Sequence, residues 1–158
     1  MKNFLKYTLV LLILLAGFSF TACQNQKAIQ VEAFKTTMEK NGFKVTDITA
    51  TAGTGVIKAY KAEKSDSSGK ALYNIRFYVY NSADTAKTTF TQAKDSFAQY
   101  EDSDSVIKNV DQKNLQRYTL LGQGYYTLIT RIGDTLLFTD SPDTYKEEII
   151  DIAKDFGY

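Results

Sequence analysis

The stretch from Ala71 to Asn81 constrains this chain more than any other. Tyr73, Ile75, Phe77 and Val79 alternate there with Asn74, Arg76, Tyr78 and Tyr80. A period of two puts the first set on one face of a β-strand and the second on the other. A fold built around such a strand must cover the Ile75/Phe77 face with something apolar. Three segments with helical periodicity can supply the cover. Lys27 to Asn41 carries Phe34 and Met38 on one side and stops at Gly42. Ala83 to Tyr100 carries a narrow stripe of Ala86, Phe90, Ala93 and Phe97. Pro142 to Phe156 repeats that spacing with Tyr145, Ile149, Ile152 and Phe156, with Ser141 as the expected cap and Pro142 at the first helical position.

Further strands fill the gaps. Phe43 to Thr51 and Val56 to Glu63 flank Gly53-Thr54-Gly55. Gln116 to Leu121 and Tyr125 to Ile132 flank Gly122-Gln123-Gly124, and Gly133-Asp134 turns into Thr135 to Thr139. The expected fold is therefore α+β, in the order α-βββ-α-βββ-α, with one six-stranded antiparallel sheet and helices packed on one face. The leads Asn81-Ser82-Ala83-Asp84-Thr85 and Asp140-Ser141-Pro142-Asp143-Thr144 are alike, which fits either a duplicated unit or separate capping. Lys64 to Lys70 and Glu101 to Ser105 read as polar loops, the second running on loosely towards Asn114.

Ahead of this domain, Lys2 and Lys6 precede an uncharged run from Tyr7 to Phe20. As a helix those 14 residues span about 21 Å. A bilayer core needs roughly 20 residues, so the run has the length of a signal-peptide core. Phe20-Thr21-Ala22-Cys23 follows, and Cys23 is the one cysteine of the chain. This resembles the lipobox of bacterial lipoproteins, with Phe20 where that family usually carries Leu. The arrangement as a whole is similar to small lipoproteins of Gram-positive bacteria. The resemblance implies a diacylglyceryl group on the Cys23 sulfur and cleavage between Ala22 and Cys23. Residues 1–22 are then the signal peptide, 23–28 the lipidated cysteine and a short tether, and 29–158 a single α+β domain. The expected location is the outer face of the cell membrane, where two acyl chains on one sulfur hold the protein durably.

Composition removes several functions. The chain has no His, which excludes imidazole-dependent catalysis and His-ligated zinc. The lone Cys permits no intrachain disulfide. The 19 basic and 18 acidic residues nearly cancel, so no basic excess exists to hold nucleic acid. Ser67-Ser68-Gly69-Lys70 has the Ser-x-x-Lys spacing but sits in a Ser/Gly loop without companion motifs. Asp102-Ser103-Asp104 opens like a calcium loop, but Ile107 and Lys113 occupy the positions where glycine and glutamate are required. Neither a metal nor another cofactor is expected, and no catalytic set is apparent.

The arginines stand out instead. Arg76, Arg117 and Arg131 are the only three, and all fall in expected strands. Arg76 shares a face with Tyr78 and Tyr80. If helices cover only the opposite face, Arg76, Tyr78, Tyr80 and Arg131 form an open patch suited to an anionic or sugar-like ligand, or to an envelope protein. Cross-strand packing of Arg on Tyr is the competing reading. The function expected is non-enzymatic binding or interaction at the cell envelope. The alternatives are an envelope hydrolase using carboxylate or Ser–Lys chemistry, or an accessory subunit of a membrane complex.

Overall fold

A computed structural model of the chain describes residues 29–158. Ala22, Cys23 and the boundaries at 22 and 28 lie outside the described residues. The elements run α1 (Val31–Lys40), β1 (Lys44–Asp47), β2 (Val56–Ser65), β3 (Ala71–Tyr80), α2 (Ala83–Ala98), β4 (Val106–Asp111), β5 (Leu115–Gly122), β6 (Tyr125–Ile132), β7 (Thr135–Pro142) and α3 (Lys146–Asp155). All strands join one sheet in the order β1-β2-β3-β7-β6-β5-β4, antiparallel at every pairing.

Two features of the expected fold are overturned. The sheet has seven strands rather than six, because β4 forms within the stretch read as a loose polar connection. Its sequence, VIKNVD, is exposed along nearly its whole length, so it carries no buried face for a hydrophobic pattern to report. Backbone pairing with β5, from Val106↔Leu121 to Asp111↔Gln116, holds it as an edge strand, and Lys108 and Asn109 suit such an edge.

Helices also cover both faces, not one. Phe34 and Met38 of α1 and Ile149, Ile152 and Ala153 of α3 pack on Tyr73, Ile75, Phe77, Leu128 and Leu137. Ala86 and Phe90 of α2 pack on the reverse, against Tyr80, Tyr118, Leu120, Ile129 and Leu136. The strand pattern explains this. Leu120-Leu121, Leu128-Ile129 and Leu136-Leu137 each place apolar residues on opposite faces, so the centre of the sheet is apolar on both sides and needs two covers.

Local chemistry sets the element ends. Ser82 caps α2, its Oγ accepting from the Thr85 backbone N–H at 3.1 Å, with Asp84 in the first turn. The matching Ser141 does not cap α3. It lies buried in β7 with its hydroxyl against that of Thr139, and α3 begins at Lys146 after a short 3-10 turn, Asp143–Tyr145. The two leads therefore differ in structure. The β5–β6 hairpin closes through Gln123 and Gly124, both at positive φ (52° and 79°), a two-residue turn whose twist matches that of the strands. Both hydrophobic clusters and all seven described strands of the sheet lie within residues 29–158.

Candidate functional site

The expected patch of Arg76, Tyr78, Tyr80 and Arg131 does share one sheet face, but α2 lies over much of it. Tyr80 is 4% exposed and sits under Ala86 and Phe90. Tyr78 is half-buried, with its ring 6.2 Å from that of Tyr80. Arg131 is 3% exposed and fully engaged: Nε donates to Gln116 Oε1 at 2.8 Å, Nη1 to the Gly133 carbonyl at 2.7 Å and Nη2 to the Lys113 carbonyl at 3.3 Å. Those bonds tie the β5 end of the sheet to the β6–β7 turn, a structural task. Arg76 is half-buried, with Nε donating to Asn74 Oδ1 at 3.2 Å and its guanidinium over the Phe138 ring. Arg117, by the alternation along β5, faces the opposite side.

What the same face does offer is a cleft beyond the C-terminal end of α2. Register builds its floor. Ile129 pairs with Phe138, and Phe138 with Arg76, in one row across the sheet. Two residues towards the β5–β6 turn, Leu120, Thr127 and Asp140 form the next row on that face. The last turn of α2 hangs over this row through Phe97, whose ring lies 5.7 Å from that of Phe138. The enclosed space is about 450 Å³.

Its walls are aromatic and its polar groups uncharged, apart from one carboxylate. Tyr100 and Tyr125 line the cleft and are each 54% exposed. Ser96, Gln99 and Gln123 supply amide and hydroxyl groups. On the floor Thr127 Oγ1 donates to Asp140 Oδ1 at 2.7 Å, which leaves the second carboxylate oxygen as an acceptor.

The loop behind α2 is fixed to the sheet rather than loose. Glu101 Oε1 accepts from the Tyr118 hydroxyl at 3.0 Å, and burial together with that carboxylate pushes the Tyr118 phenol up to about 12. Asp102 receives Ser105 Oγ at 2.8 Å, the Asp104 N–H at 3.1 Å and Gln123 Nε2 at 3.2 Å, so its carboxyl is held below the ordinary range. The Asp102-Ser103-Asp104 segment is thus a hydrogen-bonded turn bracing the β5–β6 hairpin. No group of three or more potential metal-ligating side chains occurs among the described residues. Ser67 to Lys70 likewise forms an exposed turn around Asp66 Oδ1, which accepts from Ser68 and Lys70.

No family model matches this chain. No curated protein matches it either. Among solved structures it is similar to a GTP binding regulator from Thermotoga maritima, with 14% identity and a TM-score of 0.50 over 82% of this chain and 88% of that one. Likeness at that identity concerns the fold alone.

The carboxylates that depart from their ordinary pKa, Asp47, Glu63, Asp66 and Asp102, are all held low by donated hydrogen bonds. The expected patch and this cleft lie on the same sheet face, but Phe97, Tyr100, Gln123 and Tyr125 were not among the expected site residues. One signal was available: Tyr125 follows a glycine turn and pairs with Gly122. Glycine within a strand marks a close approach, here that of Ser105, whose Oγ lies 2.6 Å from where a Gly122 Cβ would stand.

Proposed function

We propose that this chain is a lipid-anchored, extracytoplasmic binding module that holds a neutral, hydroxyl-rich, sugar-like ligand in the α2-end cleft without transforming it. The cleft carries the proposal. Flat, exposed Tyr100 and Tyr125 give contact area at little entropic cost, while amide, hydroxyl and carboxylate groups below them accept and donate to hydroxyls. The cleft holds one acid and no base, which disfavours an anionic ligand there. The lipobox-like Phe20-Thr21-Ala22-Cys23 supports the anchor and, with it, a position of the cleft at the envelope.

Each half of the reading has its own test. Labelled palmitate fed to cells expressing the full chain is incorporated into the protein, and Cys23→Ala abolishes incorporation and releases the domain to the medium. Recovery of an intact Met1 with an unmodified thiol ends the lipoprotein reading. For the cleft, residues 29–158 are applied to an array of neutral hexose and N-acetylhexosamine oligosaccharides. Tyr100→Ala and Tyr125→Ala each weaken retention by about tenfold, the loss expected for an aromatic anchor. Retention unchanged in the double variant removes the site.

A further inference from the structure

The opposite face has its own opening, beyond α3. There β4, β5, β6 and α3 enclose a groove of about 240 Å³. The register lays out its floor: Val110 pairs with Arg117, Lys108 with Thr119, and Thr119 with Leu128. From above, α3 contributes Lys146, Ile150 and Lys154. Arg117 thus lies on the floor among apolar residues, with Lys108, Lys146 and Lys154 around it, and among the described residues no Asp or Glu side chain lines the groove. Lys146 and Lys154 meet Glu147 at 3.3 Å and Asp151 at 3.0 Å, but those acids are 81% and 73% exposed and screened by solvent. Lys108 and Arg117 have no ion pair among the described residues. The Arg117 Nε is buried and has no hydrogen-bond partner among the described residues. A buried N–H left without an acceptor is rare in folded proteins, and this one belongs to a residue that lines the groove.

We infer that this groove binds a single-chain amphiphile with an anionic head group. The head group sits on the Arg117 fork, with Lys108 and Lys154 at the rim, and the tail lies over Leu121, Leu128 and Ile150. A flat membrane surface does not reach a guanidinium nitrogen at the floor of a concave groove, so the occupant is a free amphiphile and not a bilayer. This site is independent of the sugar-like cleft, which lies across the sheet.

Titration calorimetry of residues 29–158 with dodecyl phosphate below its micelle concentration tests it. One molecule binds, Arg117→Gln weakens binding by about tenfold or more, as loss of a charge-assisted fork does, and Tyr125→Ala leaves it unchanged. Lys108→Glu, at an exposed edge position, weakens binding with an unaltered melting temperature and covers the case in which Arg117→Gln fails to fold. Inorganic phosphate or decanol binding as tightly as dodecyl phosphate overturns the inference. So does capture by phosphatidylglycerol vesicles without monomer binding, or an affinity indifferent to Lys108→Glu.

Discussion

Phe90 decides whether α2 is a true second cover for the sheet. It is 5% exposed, and with Ala86 it is the buried contact between α2 and the cluster of Tyr80, Tyr118, Leu120, Ile129 and Leu136. A buried Phe removes about 150–250 Å² from water. At roughly 25 cal/mol per Å² that is about 4–6 kcal/mol for the whole side chain. Alanine retains part of it, and the cavity left behind adds to the loss, so Phe90→Ala destabilises by about 3–5 kcal/mol. Domains of this kind have about 5–15 kcal/mol in all. Chemical denaturation of residues 29–158 followed by circular dichroism measures the difference directly, with Lys87→Ala on the exposed side of α2 within about 0.5 kcal/mol of wild type. Phe34→Ala, on the other face, carries a similar cost of about 3–5 kcal/mol. The two clusters share no residue and lie on opposite sides of the sheet, so the costs add in the double variant to within about 0.5 kcal/mol. A Phe90→Ala penalty below about 1 kcal/mol refutes the two-faced packing, because core truncations on this scale do not come that cheaply. Strong coupling between Phe34 and Phe90 refutes the independence of the two clusters.

Other consequences are open to equally direct measurement. Asp47 is held far below its usual pKa by Lys58 at 2.6 Å and by Thr49, so its contribution is complete above about pH 4, the unfolded carboxyl value, and is lost as pH falls towards the folded value; Asp47→Asn flattens that acid limb of the stability curve. Burial raises the phenols of Tyr73, Tyr80, Tyr118, Tyr126 and Tyr158, so their stabilising effect is complete below about pH 10 and fades as pH climbs through the folded values; tyrosinate absorbance and loss of helix signal should then rise together, and titration of all tyrosines near pH 10 with the fold intact contradicts it. A Cβ on Gly122 meets Ser105 Oγ at 2.6 Å, and Ser105 is bound to Asp102, so Gly122→Ala costs about 1–3 kcal/mol and loosens the hairpin that carries Tyr125; an unchanged denaturation midpoint contradicts it. Arg131→Met leaves Gln116 Oε1 and two carbonyls without their donor and destabilises by about 2–4 kcal/mol, with an unchanged midpoint as the contrary result.

The helices, the six patterned strands and the hairpin turns at Gly122-Gln123-Gly124 and Gly133-Asp134 were legible in the sequence, because each carries a buried stripe or a turn with a fixed conformational demand; the hairpin expected at Gly53-Thr54-Gly55 does not form, since β1 ends at Asp47, which pairs with Tyr60, and a 3-10 turn at Thr49–Thr51 intervenes. The Ala86/Phe90 stripe and the Tyr73/Ile75/Phe77 alternation are repeated in the buried faces of α2 and β3. Two kinds of feature escaped. β4 is held by backbone pairing at an edge and buries almost nothing, so side-chain identity has little to say about it. The face α2 would choose was obscured because Tyr78 and Tyr80 read as a polar surface when opposed to Ile75 and Phe77. Tyrosine serves both settings, and the apolar doublets in β5, β6 and β7 were the better guide. The same ambiguity bears on the expected patch. Arg131 reads as a ligand-binding cation, yet the structure spends it on Gln116 and two turn carbonyls. The cleft residues come from three separate stretches that only the register of β5, β6 and β7 brings together.

The positions of the two openings follow from a mismatch of widths. Seven strands at about 4.8 Å spacing make a sheet roughly 29 Å across, while a helix with its side chains covers about 10–12 Å. On one face α2 alone must cover the centre, and it runs out at Ala98, short of the β5–β6 hairpin tip. On the other, α1 packs on β1 and β2 and α3 reaches β7, which leaves β4 and β5 without a lid. Both openings therefore converge on the β4–β5–β6 end of the sheet, one on each side. Their walls differ because the alternation along β5 sends Leu120 and Gly122 to one side and Arg117, Thr119 and Leu121 to the other. A one-residue shift in the β5 register would exchange the two linings. That is why the turn at Gln123-Gly124, which fixes this register, matters as much to both proposed sites as any residue that touches a ligand.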